Sequence, residues 1–80
     1  MKVQILGMGC PKCKALEQNA REAIAELNLD AEIEKINNSE TIMDMGVMMT
    51  PALAVDGTVK TTGKVLTKDQ VVSILKNTAQ

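Results

Sequence analysis

Val3-Gln4-Ile5-Leu6-Gly7-Met8-Gly9-Cys10-Pro11-Lys12-Cys13 decides the fold: a short apolar run, a turn through two glycines, then both cysteines of the chain. Lys2 to Leu6 sets Val3 and Ile5 alternately against Lys2 and Gln4, the period-two pattern of a strand. From Pro11 the period changes. Cys13, Leu16, Ala20, Ala23 and Leu27 follow steps of three and four residues, and Ile24 widens the stripe, so the spacing predicts a helix from Pro11 to about Asn28. With Pro11 at N1, Cys10 is the N-cap, and positions three apart share a helix face, which brings the two sulfurs within bonding reach. Cys13 falls on the stripe facing the sheet, whereas Cys10 lies at the exposed end beside free backbone N–H groups.

Beyond that helix, Leu29 to Ile36 alternates Ala31 and Ile33 with Asp30, Glu32 and Glu34 and reads as a second strand, parallel to the first and charged like an edge. Ser39 offers an N-cap with Glu40 in the first turn, and Ile42 and Met45 form the apolar face of a short helix that Gly46 ends. Pro51 precedes the run Ala52-Leu53-Ala54-Val55, a central strand with Leu53 and Val55 on one side. Asp56-Gly57 turns it into the polar edge strand Thr58 to Thr62, which Gly63 breaks. The last helix carries a full start signal: Thr67 as N-cap, Gln70 as capping-box partner and Leu66 stapled to Val71, with Val71, Ile74, Leu75 and Thr78 along one face. The order is βαβαββα, an α/β fold with a four-stranded mixed sheet flanked by three helices. Residues 1–80 read as a single domain.

Composition removes several functions. The 80 residues are 45% hydrophobic yet contain no Phe, Tyr or Trp, so the core is expected to be aliphatic with the six methionines as filler. With no histidine, Cys/His nucleophilic catalysis and His-containing zinc sites are impossible within the chain. A net charge of -1 and the lack of stacking rings argue against a nucleic-acid partner. The start is too short in apolar residues for a signal peptide and nothing reaches membrane-spanning length, so the chain reads as cytoplasmic with no membrane role.

The cysteine pair admits three readings. A structural disulfide is the weakest, because a loop of four residues is worth only about 1.9 kcal/mol in chain entropy. A redox dithiol is the second. The third takes Met8, Cys10 and Cys13 as a soft M-x-C-x-x-C set suited to copper(I) binding or delivery. Glu17 and Arg21 form an i,i+4 pair on the outer helix face, and Glu22 and Glu26 are solvated positions; none is assigned a role. Lys12 and Lys14 oppose the helix dipole in the first turn. Inside the motif, Lys12 has an electrostatic reason to be there; for Lys14 solubility suffices.

C-x-x-C opening the first helix, with Thr50-Pro51 opening the third strand, resembles the thioredoxin/glutaredoxin superfamily. G-x-G-C-x-x-C, then M-x-T-P-A-L-x-V-D-G, then a glycine before the last helix is similar to the small thioredoxins of glutaredoxin size, over Met1 to about Lys76. The resemblance implies a cis Thr50–Pro51 bond lying against the disulfide, with Thr50 offering its backbone to the substrate chain. It departs from most thioredoxins in having Gly9 rather than a tryptophan before Cys10, and no carboxylate in Val3 to Leu6. Small metal-associated domains, by contrast, run βαββαβ and end on a strand.

The reading is a thiol-disulfide oxidoreductase that reduces protein disulfides and is re-reduced by a thioredoxin-reductase-type donor. It needs no cofactor beyond a Cys10–Cys13 disulfide, holds no metal and works as a monomer. Cys10 attacks and Cys13 resolves. Helix N–H groups, Lys12 and Lys14 favour the Cys10 thiolate, and C-x-x-C thiols reach pKa values of roughly 3.5 to 7.5. Pro11 and Lys12 support the pair, while Met49, Thr50, Pro51 and Gly63 meet the substrate. Met8, Met48 and Met49 form an adaptable apolar lip, with core filling expected for at least one of them.

Overall fold

The computed structural model describes residues 1–9 and 11–79, and of 78 and 79 only the backbone. The elements are β1 (Lys2–Leu6), α1 (Pro11–Leu27), β2 (Glu32–Ile36), α2 (Ser39–Asp44), β3 (Ala52–Val55), β4 (Thr58–Thr62) and α3 (Lys68–Ala79). They form a four-stranded sheet in the order β2-β1-β3-β4. β1 pairs parallel with β2, and β3 lies antiparallel to both β1 and β4. The crossover helix α1 accounts for the parallel pair, since parallel strands need a long connection.

Strand alternation builds two cores. Val3 and Ile5 of β1 and Leu53 and Val55 of β3 face Leu16, Ala20 and Ala23 of α1 and Val71 and Leu75 of α3. The other face carries Leu6, Ala52 and Ala54 against Ile42 of α2 and Val47. The small alanines of β3 sit on this second face, which only the short α2 covers. No methionine belongs to either set of buried residues, and Met8, Met43, Met48 and Met49 are exposed. Methionine fills only the margins of the core: Met1 packs partly buried against the first layer and Met45 against the second, while branched aliphatics and alanine form the buried sets.

Local chemistry sets the helix ends. Asn28 has a positive φ of 52°, and the bonds from Leu29 N to Ile24 O and Asn28 N to Ala25 O close α1 as a Schellman motif. That stop delays β2 to Glu32, later than the alternation from Leu29 suggests. Leu29 and Ala31 instead pack on the first core from the connection. At α2 the cap is Asn38 rather than Ser39: the Asn38 side-chain oxygen accepts from Thr41 N, and Ser39 is the first helical residue. Gly46, at φ 81°, ends α2 in the same way as Asn28 ends α1, with Val47 N bonded to Ile42 O.

The α3 capping box is reciprocal, Gln70 N donating to Thr67 Oγ1 and Thr67 N to Gln70 Oε1. Leu66 and Val71 are both buried beside it, whereas the Thr78 side chain, expected on the same face, lies outside the described residues. Asp56 and Gly57 both take positive φ in the two-residue β3–β4 turn. Gln4 ties this turn to the far edge, accepting from Gly57 N and donating to Glu34. That hydrogen bond, with the Lys2 charge, holds the Glu34 carboxyl below its ordinary value.

Leu53 is fully buried between α1 and α3, so Leu53→Ala should cost about 2 to 5 kcal/mol. Thr67→Ala, losing one cap bond, should cost about 1 kcal/mol. Urea midpoints at constant m-value measure both.

Candidate active site

The site grows from the carboxyl end of β1. Gly7 continues the strand by donating to Ile36 O at 2.9 Å, which carries the chain to the end of the β1–β2 ladder before α1 begins at Pro11. Cys13, on the first turn of α1, is buried with 5% exposure. The helix brings its sulfur directly over Gly7: a β-carbon on residue 7 would collide with Cys13 Sγ and come within 3.2 Å of Cys13 Cβ. Only a residue without a side chain lets the first turn of α1 approach the strand end this closely.

Thr50 reaches the same place. A β-carbon on Gly7 would stand 3.9 Å from Thr50 Cβ, so Cys13 and Thr50 both border the space above Gly7. The Thr50–Pro51 peptide bond is cis, Pro51 is buried, and Thr50 is exposed. Gly63 N donates to Pro51 O at 2.8 Å. Gly63 also has a positive φ of 70°, and a β-carbon there would meet Met49 Cβ at 3.2 Å and its sulfur at 3.6 Å. Met49, Thr50, Pro51 and Gly63 thus form one continuous patch, joined through Gly7 to Cys13. Met8 at 64%, Met48 at 92% and Met49 at 66% exposure are all surface side chains, so none of the three fills the core as expected.

Pro11 is the first residue of α1, and Lys12 and Lys14 are exposed on its first turn, where no acidic residue offsets them. Cys10 lies outside the described residues, and with it the N-cap placement, the reach between the two sulfurs and the Met8, Cys10 and Cys13 metal set. The βαβαββα order differs from the βαββαβ order that goes with the metal-delivery reading.

The sequence reading passed over one group. Glu17 does not stand on a purely outer face: its side chain is only 17% exposed, and it lines a cavity of about 120 Å³ together with Cys13, Gly7, Lys14 and Lys35. Arg21 Nη2 binds Glu17 Oε2 at 2.7 Å and Lys35 Nζ stands 3.7 Å from Oε1. The Arg21 hydrogen bond first, and the Lys35 charge after it, hold the Glu17 carboxyl below its ordinary value against the opposing effect of burial. The signal was the i,i+4 spacing from Cys13 to Glu17, hidden by the equally good spacing from Glu17 to Arg21.

A buried cysteine on the first turn of a helix, facing a cis-proline loop at the end of a mixed sheet, is an arrangement for thiol chemistry. A family model described as the thioredoxin domain matches residues 1–76. The chain belongs to the thioredoxin family. It is 49% identical over 75 residues to a thioredoxin of Methanothermobacter thermautotrophicus, covering 94% of this chain and 97% of that one. It is 35% identical to a thioredoxin of Methanocaldococcus jannaschii, covering 94% and 86%. A solved structure described as that of a malarial protein shares the fold, with a TM-score of 0.69 at 12% identity over 95% of this chain and 93% of the other. The chain is accordingly a thiol-disulfide oxidoreductase, and its family implies protein substrates and a reductase partner. Thioredoxins generally need no cofactor. Among the described residues no helix is long and apolar enough to cross a membrane.

Gly7→Ala forces the buried Cys13 sulfur or the start of α1 to move. It should cost about 1 to 3 kcal/mol in a urea titration and slow disulfide reduction. An unchanged midpoint with unchanged activity would remove the close approach as a constraint.

Proposed function

We propose that this thioredoxin reduces protein disulfides through a Cys10/Cys13 dithiol-disulfide couple, with Cys10 as the attacking thiolate and Cys13 as the resolving thiol. The observation that supports these roles best is the burial of Cys13 against Gly7 on the first turn of α1. A sulfur in that position reaches another protein's disulfide only through its neighbour. Attack by the Cys10 thiolate on a substrate disulfide forms a mixed disulfide and expels one substrate thiolate. Attack by Cys13 on the Cys10 sulfur then closes the Cys10–Cys13 bond and releases the second substrate sulfur as a thiolate. A dithiol donor of the reductase type returns the two electrons.

Thr50 receives the substrate chain beside the cis bond, Pro51 shapes the approach, and Met49 with Gly63 forms the flanking wall. Exposed, polarizable methionines suit partners of varied shape, and the positions of Met8, Met48 and Met49 support that use. Pro11 starts the helix, and Lys12 adds positive charge to the N-H groups that favour the thiolate. Residues 1–80 act as one domain, a cytoplasmic monomer that binds neither nucleic acid nor metal for this activity. The Cys10–Cys13 disulfide is the whole redox centre.

The test is a pair of serine variants assayed with insulin as the disulfide substrate. Cys10→Ser should abolish reduction and form no adduct. Cys13→Ser should accumulate a mixed disulfide visible on a non-reducing gel. Adducts of equal yield in both variants would reverse or erase the assigned roles. Tight copper(I) binding by the reduced protein with no insulin reduction would favour metal delivery instead.

A further inference from the structure

We propose that the Glu17 carboxylate exchanges a proton with the Cys13 thiol, through water in the cavity they share, when Cys13 resolves the mixed disulfide. This rests on the dithiol reading above and adds to it the group that takes the proton. Cys13 and Glu17 stand one turn apart on α1, and both line the same cavity of about 120 Å³. That space is ample for water, which needs roughly 10 to 15 Å³ and two to four polar partners. Lys14, Lys35 and Asn37 on the cavity wall supply such partners in addition to Glu17 itself.

Glu17 has the capacity and the charge for the task. Arg21 occupies Oε2 with two hydrogen bonds, at 2.7 and 2.9 Å, whereas Oε1 meets only the more distant Lys35 ammonium at 3.7 Å and keeps lone pairs for water. With its side chain 17% exposed, Glu17 is the least exposed partner in any ion pair among the described residues. The charged groups facing the cavity are Lys14 and Glu17 from α1 and Lys35 from β2, while β1 and its turn contribute the uncharged Ile5, Gly7 and Gly9. Both lysines favour the thiolate left when Cys13 gives up its proton, and Lys35 keeps Glu17 ionised and ready to accept. Carboxylates act as bases toward far weaker acids than a thiol, and Glu17, though made a weaker base by Arg21 and Lys35, is ionised and able to accept at neutral pH.

The proton of Cys13 passes through water to Glu17. The Cys13 thiolate forms a bond to Cys10 Sγ, and the bond from Cys10 to the substrate sulfur breaks with its electron pair on the substrate. The substrate thiolate then takes a proton from solvent, and Glu17 returns its own to water. When a donor later reduces the Cys10–Cys13 disulfide, Cys13 leaves as a thiolate and is protonated over the same route.

The two attacks separate in time when reduced protein is mixed with one equivalent of an aromatic disulfide that releases a coloured thiolate at each. Stopped-flow absorbance then shows a first phase for Cys10 and a second for Cys13. In Glu17→Gln the first phase should be unchanged, which also reports an intact fold, and the second slowed at least about tenfold at neutral pH. The wild-type second phase should hold steady down to the lowered titration of Glu17 and fall below it, because protonated Glu17 cannot accept. In Glu17→Gln it should instead rise in proportion to hydroxide through neutrality. Glu17→Asp should recover much of the lost rate. A Glu17→Gln second phase matching wild type in rate and pH profile overturns the proposal, as does equal slowing by Gln and Asp. A wild-type protein that releases no second thiolate would overturn the dithiol reading itself, whatever Glu17 does.

Discussion

The contact between Cys13 and Gly7 governs the architecture of the site. The sulfur occupies space that a side chain on residue 7 would claim, so the helix start is drawn down onto the end of β1 and one cysteine is sealed from solvent. Thr50 borders the same space above Gly7, and the Pro51 carbonyl accepts from Gly63 N after β4. The start of α1 and the Thr50–Pro51 loop therefore meet at one residue that has no side chain.

The rest of the fold holds that end still. A core without aromatic rings has only aliphatic area to bury, and this chain uses it on both faces of one sheet. The larger layer, with Leu16, Leu53, Val71 and Leu75, fixes α1 and α3 together, and α1 carries Cys13 and Glu17. Only Met1 and Met45 pack against the ring-free cores, and Met8, Met43, Met48 and Met49 are exposed. Large flexible apolar side chains left in water cost solubility, so exposed Met48 and Met49 directly before Thr50–Pro51 fit a surface that meets other proteins.

Much of this was readable beforehand because it rests on local patterns. The two-residue alternation of β1 and β3, the spacing of the α1 stripe, the Asp56-Gly57 turn and the Thr67/Gln70 box each act within a few residues and appear where the pattern puts them. What escaped depended on competition or on distance. Asn38 and Ser39 are both good caps, and their order along the chain does not say which side chain reaches Thr41. Asn28 adopts a left-handed turn that glycine usually supplies, which delayed β2. Glu17 is spaced equally well for Arg21 and for Cys13, and only the position of Lys35, 18 residues farther along on β2, marks the cavity that Glu17 lines together with Cys13.

The central proposal is that Cys10 is the reactive thiol of the reduced protein, while the fold buries Cys13. Alkylating reduced protein with less than one equivalent of iodoacetamide, natively and in urea, and locating the label by peptide mass spectrometry tests it directly. The account predicts label almost wholly on Cys10 in the native protein and on both cysteines in urea. Native label on Cys13 equal to or above that on Cys10 would contradict it.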